Sequence, residues 1–421
     1  MALIKKSVTG MKDIMPDEMM IRDYVTSLVK ETYETFGFTP IETPAVEHIE
    51  NLLSKQGGEN EKLIFKILKR GEKLVLDRDV TEESLVDSGL RYDLTVPLSR
   101  YYASHADKLP SPFKALQIGP VWRADRPQKG RFRQFVQCDI DILGDPTPLA
   151  ETELITATTT LLSKLGFKGF TVRINDRRIL RAMAAYSGFS EEDFDRVFII
   201  LDKMDKIGAE GVREDLVASG FDRECADKYM DLFADKGGID YIGELGQKLA
   251  GFLDEGCAKG LTGIIRSAER VKEGDFSIVF DPTLVRGMSY YTGTIFEITM
   301  EGFGGSVAGG GRYDEMIGKF TGNKVCACGF SIGFERIITI LMDKGFKVPG
   351  SKDRYAFLIE KGADPDFTAS VMEEAAKKRS EGACVIVAMM NKNKRFQKEQ
   401  LEKEGIKADN IKEFYHSDFK N

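Results

Sequence analysis

The chain has 421 residues, 42% hydrophobic and 30% charged, the balance of a globular protein long enough for two or three domains of ~150 residues each. A formal net charge of −7 argues against a protein that coats nucleic acid non-specifically, while leaving room for a local basic patch. No run approaches the ~20 apolar residues of a membrane span, and six scattered cysteines with three histidines suggest neither a disulfide framework nor a zinc cluster.

Pro16-Asp17-Glu18, followed by Ile21, Tyr24, Val25, Leu28, Val29 and Tyr33, predicts an amphipathic helix with acids in its first turn and Gly37 past its end. Phe38 to Val46 reads as an extended segment interrupted by Pro40 and Pro44. Residues 62–76 read as a hairpin turning at Arg70-Gly71, and a polar connection then leads into LRYDLTVP, Leu90 to Pro97. Asp93 in that stretch is either a turn cap, a common place for Asp, or a polar group set for a ligand ahead of Thr95.

The most informative stretch is 117–144. It reads as a strand with a Gly119-Pro120 break, a cationic turn, and a return strand from Phe132 to Leu143. Arg123, Arg126, Lys129, Arg131 and Arg133 crowd the turn against one acid, Asp125. Gln137, Asp139 and Asp141 alternate along the return strand, so period two places all three on one sheet face. An amide and two carboxylates topped by arginines suit a ligand with an amine at one end and phosphates at the other.

Leu149 to Leu165 predicts a helix and Gly169 to Ile174 a strand. Residues 176–272 then become helical with Gly- and acid-rich joints, without a chemical motif of their own. Phe276 to Phe280 and Thr294 to Met300 read as strands. The glycine-rich run Glu301 to Gly311 lacks the lysine of a phosphate loop and reads as allowing tight backbone approach and turning beside a site. Asp314 to Phe320 and Gly333 to Leu341 read as helices, the second with Arg336 near its start. After a linker at 345–353, Tyr355–Ile359, Asp366–Lys378, Ala383–Met389 and Lys392–Glu404 follow in β-α-β-α order, which predicts a small α/β domain with parallel strands. No final strand is legible beyond it. Its last helix is basic through Lys392, Lys394, Arg395 and Lys398, a candidate phosphate-contacting face.

The 117–144 stretch resembles motif 2 of class II aminoacyl-tRNA synthetases, most closely the histidyl-tRNA synthetase family. Gly10 to Pro16 (GMKDIMP) resembles that family's opening signature, and Leu90 to Pro97 its amino-acid loop. Leu284 to Gly293 and Gly310 to Asp314 resemble its two histidine-specific motifs, and Gly329 to Arg336 its motif 3. These stretches stand in the family's order across residues 10 to about 340.

The resemblance implies an α+β fold. Its antiparallel-sheet core would occupy residues 1–175 and 273–345, with a helical insertion at 176–272 and a short anticodon-binding-like α/β domain at 350–421. It implies ATP-dependent ligation of histidine to tRNA(His) through a histidyl-adenylate, with Mg2+, by a cytoplasmic homodimer. The dimer contacts would come from the first helix and the Phe38–Val46 segment, which ordinary packing explains equally well. The insertion is either a clamp over tRNA or a spacer.

Carried over by resemblance, Arg123 and Arg286 act on the α-phosphate and the substrate carboxylate, while Arg131 and Arg336 hold the terminal phosphates and Phe135 stacks on adenine. Asp93, Leu94, Thr95 and Gln137 belong to the amino end of histidine; Asp141, Tyr291 and Tyr313 frame its ring, with Tyr290 close by. Arg126 and Gln128 are the tRNA candidates, and no metal ligand is named. The second reading is a catalytically silent, histidine-binding regulatory paralogue of the ATP phosphoribosyltransferase type. The retained arginines favour the enzyme.

Overall fold

The computed structural model describes residues 3–53, 60–76, 80–127, 131–233, 238–285, 290–300, 305–350 and 352–419. The chain forms two units, Met1–Phe346 and Lys347–Asn421. In chain order the strands are β1 (Thr39–Pro40), β2 (Val46–His48), β3 (Lys66–Leu68), β4 (Val86–Leu90), β5 (Phe113–Trp122), β6 (Gln134–Leu143), β7 (Phe170–Asp176), β8 (Phe276–Phe280), β9 (Thr294–Thr299), β10 (Ser306–Arg312), β11 (Ala327–Ile332), β12 (Arg354–Ile359), β13 (Cys384–Met389) and β14 (Ile411–Phe414).

The first unit is built on an eight-stranded sheet in the order β1-β5-β6-β11-β10-β9-β7-β8. Its inner pairings are antiparallel, and only the outermost pairs, β1 with β5 and β7 with β8, are parallel. An antiparallel sheet with helices segregated from its strands is the α+β class. β5 and β6 pair without a slip from Phe113↔Leu143 to Trp122↔Gln134. That unbroken register sends Gln137, Asp139 and Asp141 to one face and the fully buried Cys138, Ile140 and Ile142 to the other. Helix Leu149–Lys164 packs against β6 and β11 and buries Leu154, Ile155, Leu161 and Leu162. Burying each such side chain is worth about 1.5–3 kcal/mol before entropy.

The first helix, Pro16–Glu34, begins with proline in its first turn, beside Asp17 and Glu18, and buries Ile21, Val25, Val29 and Tyr33. Between β7 and β8 the described residues form six α-helices: Arg177–Ser187, Phe194–Leu201, Met204–Ala218, Arg223–Asp231, Gly238–Lys248 and Glu255–Arg270. The last two were not legible individually from sequence.

Four local expectations are corrected. Gly119-Pro120 does not interrupt β5, because β1 reaches only Ala115 and Leu116. Pro120 thus lies on an edge stretch, where its missing N–H forfeits no ladder bond. Residues 62–76 are no hairpin: β3 pairs with β4, and Gly71–Lys73 is a single 3-10 turn. Over Ser306–Arg312 the glycine-rich run is not the expected turn but β10, hydrogen-bonded on both sides, while the expected close backbone approach is found there. A Cβ at Gly310 would overlap the Gly329 carbonyl and the Phe296 ring, so glycine is what lets these strands close up. Of the helix expected over Asp314 to Phe320, only the short Gly318–Thr321 forms.

The second unit holds β12, helix Pro365–Ser380, β13, helix Lys394–Lys403 and β14. Its sheet order is β13-β12-β14, all parallel. β14 is the final strand that the sequence did not reveal; four residues, of which only Phe414 is buried, carry too little pattern.

Candidate active site

A cavity of about 320 Å³ opens on the face of β6 that carries Gln137, Asp139 and Asp141. Volumes of ~300–1,000 Å³ are usual for small-molecule sites. Its inner end is acidic. Asp93 sits just before helix Thr95–His105, and its Oδ1 accepts from the Val96 N–H at 3.1 Å. The cap and the ligand-facing reading of Asp93 are therefore both present in one side chain, since the carboxyl also lines the cavity. Asp141 Oδ1 accepts from the Tyr313 hydroxyl at 2.6 Å. The second oxygens of Asp93 and Asp141 are buried and have no hydrogen-bond partner among the described residues.

Burial raises all three carboxyls. Asp93 is pushed up to about 6, with the Val96 N–H and Arg123 only partly offsetting desolvation. Asp139 is pushed up to about 7 despite hydrogen bonds from Ser331 and Gln137. Asp141 is raised well above the usual carboxylate range by burial and by the charge of Asp139. Three such acids in one enclosure favour a cationic guest, because a buried anion left without compensation is costly.

Tyr290, Tyr291 and Tyr313 close the inner end, with ring centroids 4.9 Å apart for Tyr290–Tyr291 and 5.9 Å for Tyr290–Tyr313. Tyr313 is buried, and Tyr290 and Tyr291 pack on the apolar cluster of Tyr92, Val96, Leu98 and Ile317. Gly329 faces Asp141 across the β6–β11 pair, and any Cβ there would overlap Asp141 Oδ1.

The outer end is cationic and aromatic. Arg123 donates from Nε to the Tyr92 carbonyl at 2.9 Å and from Nη2 to Gln137 Oε1 at 3.3 Å. Its guanidinium lies 5.1 Å from the centroid of the Phe135 ring. Arg131 reaches Asp125 at 3.4 Å and is exposed. Arg336 stands in the first turn of helix Phe334–Asp343 and donates to the Ser306 carbonyl. Phe132 and Glu335 also line this end. Glu335 accepts from the Val136 N–H at 3.1 Å and forms a two-point ion pair with Arg22 of the first helix.

The cavity thus gathers Asp93, Thr95, Arg123, Arg131, Phe135, Gln137, Asp141, Tyr290, Tyr291, Tyr313 and Arg336. It does not include Leu94, whose side chain is buried in the core while its carbonyl accepts from Gln117 Nε2 at 3.1 Å. Arg126 is exposed and does not line the cavity. Arg286 and Gln128 lie outside the described residues. Two buried acids of the cavity, Asp139 and Glu335, had no assigned role. Asp139 was legible from the same alternation as its neighbours. Glu335 was not, since its partner Arg22 lies 313 positions away. Among the described residues no cluster of three His, Cys, Asp or Glu side chains could hold a metal, and no helix is long and apolar enough to cross a membrane.

The family model described as histidyl-tRNA synthetase matches residues 10–337. A histidine–tRNA ligase of Leifsonia xyli subsp. xyli is 47% identical over 357 residues, covering 79% of this chain and 79% of that protein. A solved histidyl-tRNA synthetase from Nostoc superposes with a TM-score of 0.78 at 27% identity, covering 96% of this chain and 90% of that one. A Bacillus halodurans structure titled as an ATP phosphoribosyltransferase regulatory subunit/histidyl-tRNA synthetase gives a TM-score of 0.77 at 22% identity, covering 99% of each chain, a likeness of fold. The motif order, the antiparallel sheet and the family model agree: this chain belongs to the histidyl-tRNA synthetase family.

Proposed function

We propose that this chain joins histidine to tRNA(His) in two steps, forming a histidyl-adenylate from histidine and ATP and then transferring the histidyl group to tRNA. The observation that carries this reading is the polarity of one cavity, acidic and tyrosine-lined at one end, arginine- and phenylalanine-lined at the other. A zwitterionic amino acid with a basic ring fits the first end and a nucleoside triphosphate the second.

The activation step needs no general base, because an α-carboxylate with a pKa of ~3.5 is already the nucleophile at neutral pH. The work left is to bring that carboxylate in line with the α-phosphorus and to offset charge on the leaving pyrophosphate. Arg123 stands between the two ends and takes the carboxylate and α-phosphate, with Arg286 as its expected partner. Arg131 and Arg336 take the terminal phosphates, since a planar, permanently charged fork binds phosphate oxygens at two points. Phe135 offers its ring to adenine. Mg2+ would arrive on the phosphates themselves, because it keeps several waters and needs few protein ligands.

Asp93, Thr95 and Gln137 receive the α-ammonium group. Asp141 and Tyr313 meet the imidazole beside Tyr290 and Tyr291. Such a polar pocket rejects apolar rivals by roughly 10⁴-fold, since they would leave its buried groups unpaired. Arg126 and Gln128, which lie in the chain between β5 and β6, are the expected tRNA contacts. Homodimerisation and a cytoplasmic location complete the reading.

Histidine-dependent ATP–pyrophosphate exchange, with all twenty amino acids supplied in turn, tests it. Exchange with histidine alone is expected. Histidine binding without exchange would instead favour the regulatory paralogue.

A further inference from the structure

Asp139 lies at the middle of the cavity wall, paired across the sheet with Gln117 on β5 and Ser331 on β11. It is almost completely buried. Unlike Asp93 and Asp141, which each keep a buried oxygen without a partner among the described residues, Asp139 has both oxygens engaged. Gln137 Nε2 donates to Oδ1 at 3.2 Å and to Oδ2 at 2.9 Å, and the Ser331 hydroxyl adds a further hydrogen bond. Asp93 and Asp141 are thus free to receive a guest, while Asp139 is occupied with its neighbours.

What it occupies is an amide that must choose a direction. The side chain of Gln137 has one end that only donates and one that only accepts. A carboxyl stands on one side of it and the Arg123 guanidinium on the other, with Arg123 Nη2 donating to Oε1 at 3.3 Å. Only one of the two orientations satisfies both neighbours; the reverse would put N–H against N–H and oxygen against oxygen. We propose that Asp139 is a positioning residue for amino-acid binding, fixing the Gln137 amide with its oxygen toward Arg123 and the substrate's ammonium group. The inference rests on the reading of this cavity as the histidine site.

Removing Asp139 releases the amide. Its nitrogen can then turn toward the position of the incoming ammonium group, where donor would face donor. The loss falls on histidine and not on ATP, because the released amide is the one that faces the substrate's ammonium group. A neutral residue that still presents an acceptor to Gln137 Nε2 preserves the orientation, so Asp139→Asn is expected to retain binding.

The test is a double-mutant cycle on the full chain. Histidine Kd is measured by calorimetry and ATP Kd separately, for wild type, Asp139→Ala, Gln137→Ala, the double variant and Asp139→Asn. Asp139→Ala is expected to weaken histidine roughly ten-fold, the scale of one lost hydrogen bond, with ATP affinity changed less than about two-fold. The double variant should bind histidine no worse than Gln137→Ala, because the first change acts through the second residue. Asp139→Asn should stay within about three-fold of wild type and decides the matter if the alanine variant does not fold. Additive effects in the cycle, an equal loss of ATP affinity, or an Asp139→Asn variant as weak as the alanine one would each overturn the inference. Wild-type protein that binds no histidine would overturn the reading of the site as well, which separates the two failures.

Discussion

The Arg312 guanidinium and the Glu151 carboxylate form a two-point ion pair, with Nε–Oε1 and Nη2–Oε2 both at 2.7 Å and both side chains buried. Arg312 ends β10 immediately before Tyr313, and Glu151 belongs to helix Leu149–Lys164 behind the sheet. The same guanidinium donates to the carbonyls of Asp145 and Thr147, both at 3.0 Å. A surface-remote pair therefore holds the strand end from which the ring of Tyr313 reaches Asp141.

Breaking that pair is expected to be expensive. Glu151→Ala leaves a buried guanidinium with Asp314, 3.3 Å away, as its remaining partner, and breaking such a buried pair typically costs about 3–5 kcal/mol. Denaturant unfolding of the full chain measures it. A loss below about 1 kcal/mol would mean that water or a shifted acid replaces Glu151.

Gly329→Ala should act on histidine binding through Asp141. The new methyl overlaps Asp141 Oδ1, so the carboxyl must leave its 2.6 Å bond from Tyr313. Histidine KM is expected to rise at least about ten-fold, the weight of one charged hydrogen bond, while ATP KM holds. Exchange kinetics across both substrates provide the check, and an unchanged histidine KM would show that the ring is not read through Asp141.

Stability and ligand response should both depend on pH. Asp93 at about 6 and Asp139 at about 7 are raised chiefly by burial. An unfolded aspartate titrates near ~3.9, so the native apo protein binds the extra protons. The stabilising contribution of these protonated acids is complete below pH ~4 and is lost as pH rises through about 6 and then about 7. Apo stability is expected to fall across that window, and stabilisation by histidine to grow. Histidine's own ring titrates near ~6.5, so Asp139→Asn serves as the control that removes only the protein's upper step. Thermal shifts by histidine that are as large at pH 6 as at pH 8 would contradict this.

The basic helix of the second unit behaves differently from its sequence. Lys398 lies 2.5 Å and Lys394 3.5 Å from Glu413 on β14, and Lys394 also donates to the Tyr415 hydroxyl at 2.6 Å. Hydrogen bonds from Lys398 and Tyr415 pull Glu413 down to about 2. These lysines therefore serve the unit's own packing. Arg395, 90% exposed and paired along the helix with Glu399, points outward. Lys398→Glu should lower the resistance of this unit to proteolysis, whereas Arg395→Glu should leave it intact. If the outer face meets tRNA, Arg395→Glu flattens the salt dependence of binding by about one slope unit. An unaltered slope would remove this helix from the tRNA contact.

By itself the sequence determined the family, the α+β class and most of the cavity's chemistry. The motifs are short, local and ordered, and period two along 137–141 puts an amide and two acids on one face wherever that strand pairs. It also determined the outer elements, because amphipathic helices such as Pro16–Glu34 announce themselves through spacing and first-turn acids. Only the tertiary structure decided that Pro120 continues a strand, that Gly310 sits inside a sheet, and that Asp93 is both cap and wall. It alone joined Arg22 to Glu335, Arg312 to Glu151 and Lys398 to Glu413. The physical reason is range. Propensity and periodicity act over a few residues, whereas burial, which raises the three carboxyls and selects each arginine's partner, depends on segments brought together from distant parts of the chain.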